Sequence, residues 1–311
     1  MNYHLKLFGE KVKSIRKELR ISQRAISEQT GVNIDTIRKI EKGMVIPRLD
    51  TLEILSTVLK QDISKLFLDY RLDNQAAFKE VKAKLEYKLN NNKYEDLYLE
   101  REQLKRIKFS TKSDYYHLLI TQLFFFVDAI ILYKVENKPE KAYKKLINSL
   151  KVTNQNFTLA DYQIFIYSSM ELRILMSIGF ILNSLNESNK YLEILEFCME
   201  RVEVESSLHP KLCHNLSTAY KRNKQYEKAL RYSNIGIECC KKSTNVTGLH
   251  ILYYGKGVVE YYLNDPKYIK SIKTALLLCD ILEQEKFKNK ILKNCKDILK
   301  CKYEFENFSI K

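Results

Sequence analysis

The sequence predicts an all-α protein. A five-helix unit over residues 1–68 is followed by a linker helix over 69–76 and a right-handed α-solenoid of about five repeats over 77–311. Three observations predict this. Helix breakers are scarce, with 8 Gly and 4 Pro in 311 residues, whereas Leu, Ile, Lys and Glu abound. No Gly occurs from Ser56 to Ile178, and no strand-like alternation is sustained. Helical segments of the later chain recur every 34 to 45 residues or so. A chain of 311 residues also exceeds what one core usually serves, so two domains are expected.

In the first unit, Val12, Ile15 and Leu19 stand at i, i+3 and i+7 and mark a first amphipathic helix. Ser22 caps a second helix that turns Ala25 and Ile26 inward and ends at Thr30-Gly31. Gly31 suits a tight turn with positive φ. Val32 follows, and Asn33 caps a third helix that buries Ile37 and Ile40 and stops at Gly43. Pro47 ends the next loop. Leu52, Leu55 and Leu59 define a fourth helix, and Asp62 caps a fifth carrying Ile63, Leu66 and Phe67.

Two short helices joined by a Gly-containing turn form a helix-turn-helix. Residues 8–68 resemble the Xre/Cro/lambda-repressor family, through Ser22-Gln23, Ala25, Gly31-Val32, Thr36-Ile37, Ile40-Glu41-x-Gly43, Pro47 and Thr51-Leu52 in that order. The resemblance implies a recognition helix that presents Asn33, Ile34, Asp35, Thr36, Arg38 and Lys39 to major-groove base edges. Arg or Lys suits guanine, Asp the cytosine amine, and Ile34 a thymine methyl. Ile34 can equally be a satellite of the core, and Asp35 can simply favour the helix dipole. Gln23, at the start of the second helix, would donate to a phosphate. Lys42 and Arg48 are further phosphate candidates, although Arg48 stands where many relatives carry a capping Ser or Thr. Arg16 and Glu41 match an internal salt bridge of the family. One such unit reads half a site, so a homodimer on double-stranded promoter DNA is expected.

The clearest later repeat is "KLCHNLSTAYKRNKQYEKALRYSNIGIECCKK", residues 211–242. Leu216, Tyr220, Tyr226, Ala229 and Gly236 fall at the spacing of a tetratricopeptide repeat. A second unit places Tyr262, Tyr268, Ser271 and Ala275 alike. Looser units contain Tyr133 with Ala142, Gly179, and Leu85 with Tyr94 and Leu97. A Lys-rich helix from Lys286 to Lys302 would cap the array. Such solenoids carry a concave groove lined by the first helix of each repeat. Aligning the Leu and Tyr positions puts Asn215 and Asp128 in it. Lys79, Lys82, Arg173, Ser177, Lys211, Thr218 and Tyr253 are further groove candidates. Asn can pair with a peptide backbone, and Lys or Arg can hold a carboxylate.

A helix-turn-helix followed by about five such repeats resembles the PlcR-like members of the RRNPP peptide-pheromone receptors of Firmicutes over essentially the whole chain. The resemblance implies a cytoplasmic homodimer, a quorum-sensing transcriptional regulator controlled by a short peptide in the repeat groove. It also implies that Asn215 clamps the peptide backbone. The rival reading is a phage or mobile-element repressor whose repeats only dimerise or bind a protein partner.

The remaining features fit either reading. The net charge of +15 is spread along the chain: residues 1–70 carry 13 Lys and Arg against 9 Asp and Glu. Charge alone therefore does not locate a nucleic-acid site. Seven Cys form no C-x-x-C pair and five His show no ligand spacing, so no metal and no cofactor is expected. The Cys read as small buried groups in a reducing compartment. The apolar run Leu118–Tyr133 is short for a membrane span and holds Gln122 and Asp128, so a buried helix is expected. No signal peptide and no enzymatic constellation of nucleophile and base is seen.

Overall fold

The computed structural model describes residues 4–70, 75–111, 113–243, 246 and 248–297. These form 16 α-helices and one short 3-10 turn, with no strand among the described residues. The all-α expectation holds. The protein divides into two compact units, Met1–Ile131 and Leu132–Lys311.

The first unit opens with α1 (Leu5–Glu18), α2 (Gln23–Thr30), α3 (Ile34–Glu41), α4 (Leu49–Leu59) and α5 (Ile63–Asp69). Their shared core is Phe8, Val12, Ile15, Ile26, Ile37, Ile40, Leu52, Leu55, Leu59, Ile63 and Phe67. Leu19 departs from the expected stripe and is 38% exposed. The helix stops before it because Arg20 turns left-handed at φ 57 and Ile21 N–H bonds back to Arg16. The buried stripe therefore runs towards the N-terminus, through Phe8. Ser22 accepts from Ala25 N–H at 3.0 Å, Gly31 sits at φ 72, and Asn33 accepts from Asp35 N–H at 2.8 Å, as the capping pattern requires. Gly43 has φ 66, and a Cβ there would lie 2.5 Å from the Leu5 carbonyl carbon. This position needs glycine twice over, for the turn and for the approach of α1 to the end of α3.

The linker helix expected over 69–76 has its centre at 71–74, outside the described residues; α5 ends at Asp69 and α6 starts at Gln75. Helix α6 (Gln75–Asn90) packs on α7 (Leu97–Ser110) through Val81, Leu85, Leu97 and Leu104. Lys88 bridges to the buried Glu100 at 2.8 Å. Helix α8 (Asp114–Lys134) has 21 residues, longer than the expected run, and by length and composition it is within reach of a bilayer span. Asp128 pairs with Arg101 of α7 at 3.4 Å, as in a helix packed against protein.

The second unit contains α9 (Pro139–Lys151), α10 (Ser169–Ser184), α11 (Ser188–Arg201), α12 (His209–Arg222), α13 (Tyr226–Lys242), α14 (Leu249–Tyr262), α15 (Tyr268–Ile281) and α16 (Glu285–Asp297). Packed hairpins are α10 with α11, α12 with α13 and α14 with α15. Each ends its first helix on a left-handed residue that is not glycine: Asn186 (φ 70), Lys224 (φ 58) and Asn264 (φ 57). The next N–H then bonds five residues back, Glu187 to Leu182, Gln225 to Tyr220 and Asp265 to Glu260, each at 2.9 Å. Counting seven residues back from each turn aligns Gly179, Ser217 and Gly257, the small residues on which the second helix rests. Ser217 there bonds Ser233 at 2.8 Å. Beyond Asp297 the expected cap helix, with Cys301, lies outside the described residues.

The six described cysteines are buried and none is in a disulfide. Burial pushes the Cys198 and Cys213 thiols up to about 12 and those of Cys240 and Cys279 to about 11.

Candidate functional site

Helix α3 turns Ile37 and Ile40 into the core and leaves Asp35, Arg38 and Lys39 exposed. Asn33 is exposed with its oxygen spent on the cap, and Ile34 and Thr36 are half-buried. Arg38 Nη1 donates to Asp35 Oδ1 at 2.7 Å, so two of the expected base readers hold each other on the surface. Such an exposed pair is weak and easily exchanged for a ligand contact. Lys42 and Arg48 are exposed. Arg48 occupies the N-cap of α4 with no side-chain cap and pairs with Asp50 at 3.2 Å. Gln23 donates its amide to Glu41 Oε2 at 2.7 Å, which leaves one amide proton for another acceptor. The motif spacing gave no sign of the adjoining Met44, Ile46 and Leu49, which are 70%, 51% and 65% exposed in the segment after α3.

The other candidates fall in both units. In the first, Lys79 is exposed and pairs with Asp69 of α5 at 2.5 Å, Lys82 is exposed, and Asp128 pairs with Arg101. In the second, Ser177 is buried and its hydroxyl donates to the Arg173 carbonyl on its own helix. Arg173 and Lys211 are half-buried. The Asn215 amide donates to Met176 Sδ at 3.5 Å and so joins α12 to α10. Tyr253 packs among the buried residues around Cys213 and Leu252 and around Ile272 and Leu276.

Thr218 lines a cleft of about 280 Å³ between α12, α14 and α16. His214 and Lys221 flank it on α12, at i−4 and i+3, so the three form one helix stripe. Tyr254 and Tyr262 come from α14, and Phe287, Lys290 and Asn294 from α16. Tyr262 is held by stacking on Tyr226, with ring centroids 5.2 Å apart and planes within 7°. Asn294 donates to the Tyr254 hydroxyl at 2.8 Å. Behind the cleft His250 is buried against Phe287, and its Nδ1 has no hydrogen-bond partner among the described residues.

No carboxylate lines this cleft among the described residues. Burial, with Lys221 and His250 adding repulsion, pushes His214 down to about 4. Burial also lowers Lys221, helped by Arg222, and lowers His250. The cleft is thus short of negative charge and walled on one side by rings. Of the expected groove residues only Thr218 lines it. His214, Lys221, Tyr254, Lys290 and Asn294 were not anticipated, although the 214, 218, 221 spacing was legible.

Comparison with known proteins agrees with this architecture. A sequence profile for the Helix-turn-helix family matches residues 12–66. The structure of PlcR from Bacillus thuringiensis in complex with the peptide PapR7 and DNA superposes with a TM-score of 0.73 at 21% identity, covering 92% of this chain and 99% of that one. The Streptococcus dysgalactiae SHP pheromone receptor Rgg2 gives 0.58 at 12% identity, covering 93% and 98%. ComR from S. thermophilus, in complex with DNA and its signalling peptide ComS, gives 0.56 at 13% identity, covering 91% and 97%. At these identities the likeness is one of fold. No curated protein sequence matches the chain.

Proposed function

We propose that the protein is a transcription regulator controlled by a short signalling peptide. As a homodimer in the cytoplasm it reads promoter DNA through α3, with Asn33, Ile34, Asp35, Thr36, Arg38 and Lys39 at base edges and Gln23, Lys42 and Arg48 on phosphates. The peptide lies in the groove of the repeats, where Asn215 holds its backbone. The supporting observation is an architecture matched over 92% of the chain by a receptor solved with both a peptide and DNA. The peptide acts by favouring one arrangement of the repeats and so one spacing of the paired readers.

The test is promoter affinity, on a DNA fragment chosen by in vitro selection, with and without synthetic hepta- to decapeptides. A peptide that shifts affinity, in a manner lost in Asn215→Ala, supports the reading. DNA binding that no peptide changes would leave a plain repressor whose repeats serve assembly.

A further inference from the structure

We propose that the cleft between α12, α14 and α16 is a carboxylate subsite, which takes an acidic side chain or chain terminus of the ligand together with an adjoining flat apolar group. This rests on the peptide reading and gives that ligand its chemistry.

Charge carries the argument. Lys221 is half-buried at the cleft wall and Lys290 stands at its rim, and neither forms an ion pair among the described residues. Elsewhere in the same unit, sheltered lysines do find acids: Lys288 meets Asp280 at 2.5 Å and Lys256 lies 3.7 Å from Glu260. A desolvated ammonium without a counter-charge is costly, so one that faces a cleft marks the place of an anion.

Hydrogen bonding points the same way. The Tyr254 oxygen accepts from Asn294, so its own proton is left to donate into the cleft. Thr218 adds a second hydroxyl. The titratable groups that line the cleft with His214 are Lys221 on its own helix, Tyr254 and Tyr262 of α14 and Lys290 of α16, with His250 of α14 also acting on it, all cationic or neutral. Burial first, and then repulsion by Lys221 and His250, holds the His214 pKa down; an anion placed among these groups offsets both, and binding then takes up a proton.

Size and shape set the rest. At about 280 Å³ the cleft is smaller than a site for a whole ligand, so it holds one or two side chains of a longer one. Ile251, Val258, Tyr262 and Phe287 give it an apolar wall suited to a ring or a branched aliphatic group.

The test follows His214 by NMR in the full chain, with its signal assigned through His214→Gln. N-acetyl-L-phenylalanine, its amide, and N-acetyl-L-aspartic acid α-amide are the probes. Both acids are expected to bind and raise the His214 pKa, while the neutral amide does neither. The stronger acid tells a chain terminus from a side chain. Lys221→Met is expected to weaken the acids by about tenfold without lowering the protein's thermal unfolding temperature, since it removes an uncompensated sheltered charge. Equal behaviour of acid and amide, or no loss in Lys221→Met, overturns the subsite. If the acids bind but no heptapeptide does, the subsite stands and the peptide reading falls. If free-acid and amidated peptides bind alike and Lys221→Met is silent, the peptide reading stands and the subsite falls.

Discussion

The guanidinium of Arg16 grips both oxygens of Glu41, Nε to Oε1 at 2.5 Å and Nη2 to Oε2 at 3.0 Å. Gln23 shares Oε2, and Arg16 Nη1 also donates to the Ile21 carbonyl at 3.0 Å. One carboxylate thus ties α1 to the start of α2 and the end of α3. Glu41→Ala strands a sheltered guanidinium and is expected to cost about 3 kcal/mol of stability. Arg16→Met with Glu41→Leu, which removes both charges, is expected to cost far less. Urea unfolding of the two variants checks this, and equal losses would refute it.

On the DNA face, Arg38→Ala is expected to cost about 1–3 kcal/mol on a selected operator while leaving non-specific DNA affinity nearly unchanged. Lys42→Ala should instead weaken both and reduce the slope of affinity against salt by about 1. Titrations at several salt concentrations separate them. A flat response to Arg38→Ala on the operator would remove it from base reading.

These expectations rest on a domain that was largely legible. Ser22, Gly31, Asn33 and Gly43 announce themselves because a cap or a left-handed turn constrains the residue that occupies it. The cleft was less legible. Counting from Leu216 and Tyr220 singles out Asn215, whose amide reaches Met176 on α10, and of the cleft residues only Thr218. The cleft belongs to the neighbouring stripe of His214, Thr218 and Lys221. One residue is about 100° around a helix, and only the placement of α14 and α16 says which stripe they cover. Nor could spacing reveal that Lys79 meets Asp69 or that Leu19 follows the end of α1.

The repeat turns were hidden for another reason, since none uses glycine. A left-handed Lys224 carries a penalty that glycine avoids, so Lys224→Gly is expected to stabilise the fold by about 1 kcal/mol. Its urea midpoint should rise with no change in slope.

Gly257 is expected to behave in the opposite way. A Cβ there would meet Ile272 Cγ1 at 2.7 Å and the Tyr268 carbonyl oxygen at 3.2 Å. Alanine gains about 1 kcal/mol of helix propensity but forces α14 from α15, so Gly257→Ala is expected to be net destabilising by about 1–2 kcal/mol. A raised melting temperature would show that the hairpin yields.

His214 gives stability a pH dependence. Its folded pKa is about 4 against an ordinary 6.5, so the unfolded chain binds the extra proton between those values. Stability is therefore expected to fall as pH drops from 6.5 to 4 and to lose nothing further from this group below. His214→Gln should flatten that part of the curve, measured by thermal unfolding across the range.

The buried thiols have a practical consequence. A protonated, enclosed cysteine reacts slowly with maleimides at neutral pH, because the thiolate is the attacking species. With Cys301 replaced by serine, the native chain supplies its own quiet background for labelling. A single exposed cysteine introduced by Lys82→Cys would then take a fluorophore selectively, without first stripping the six buried cysteines.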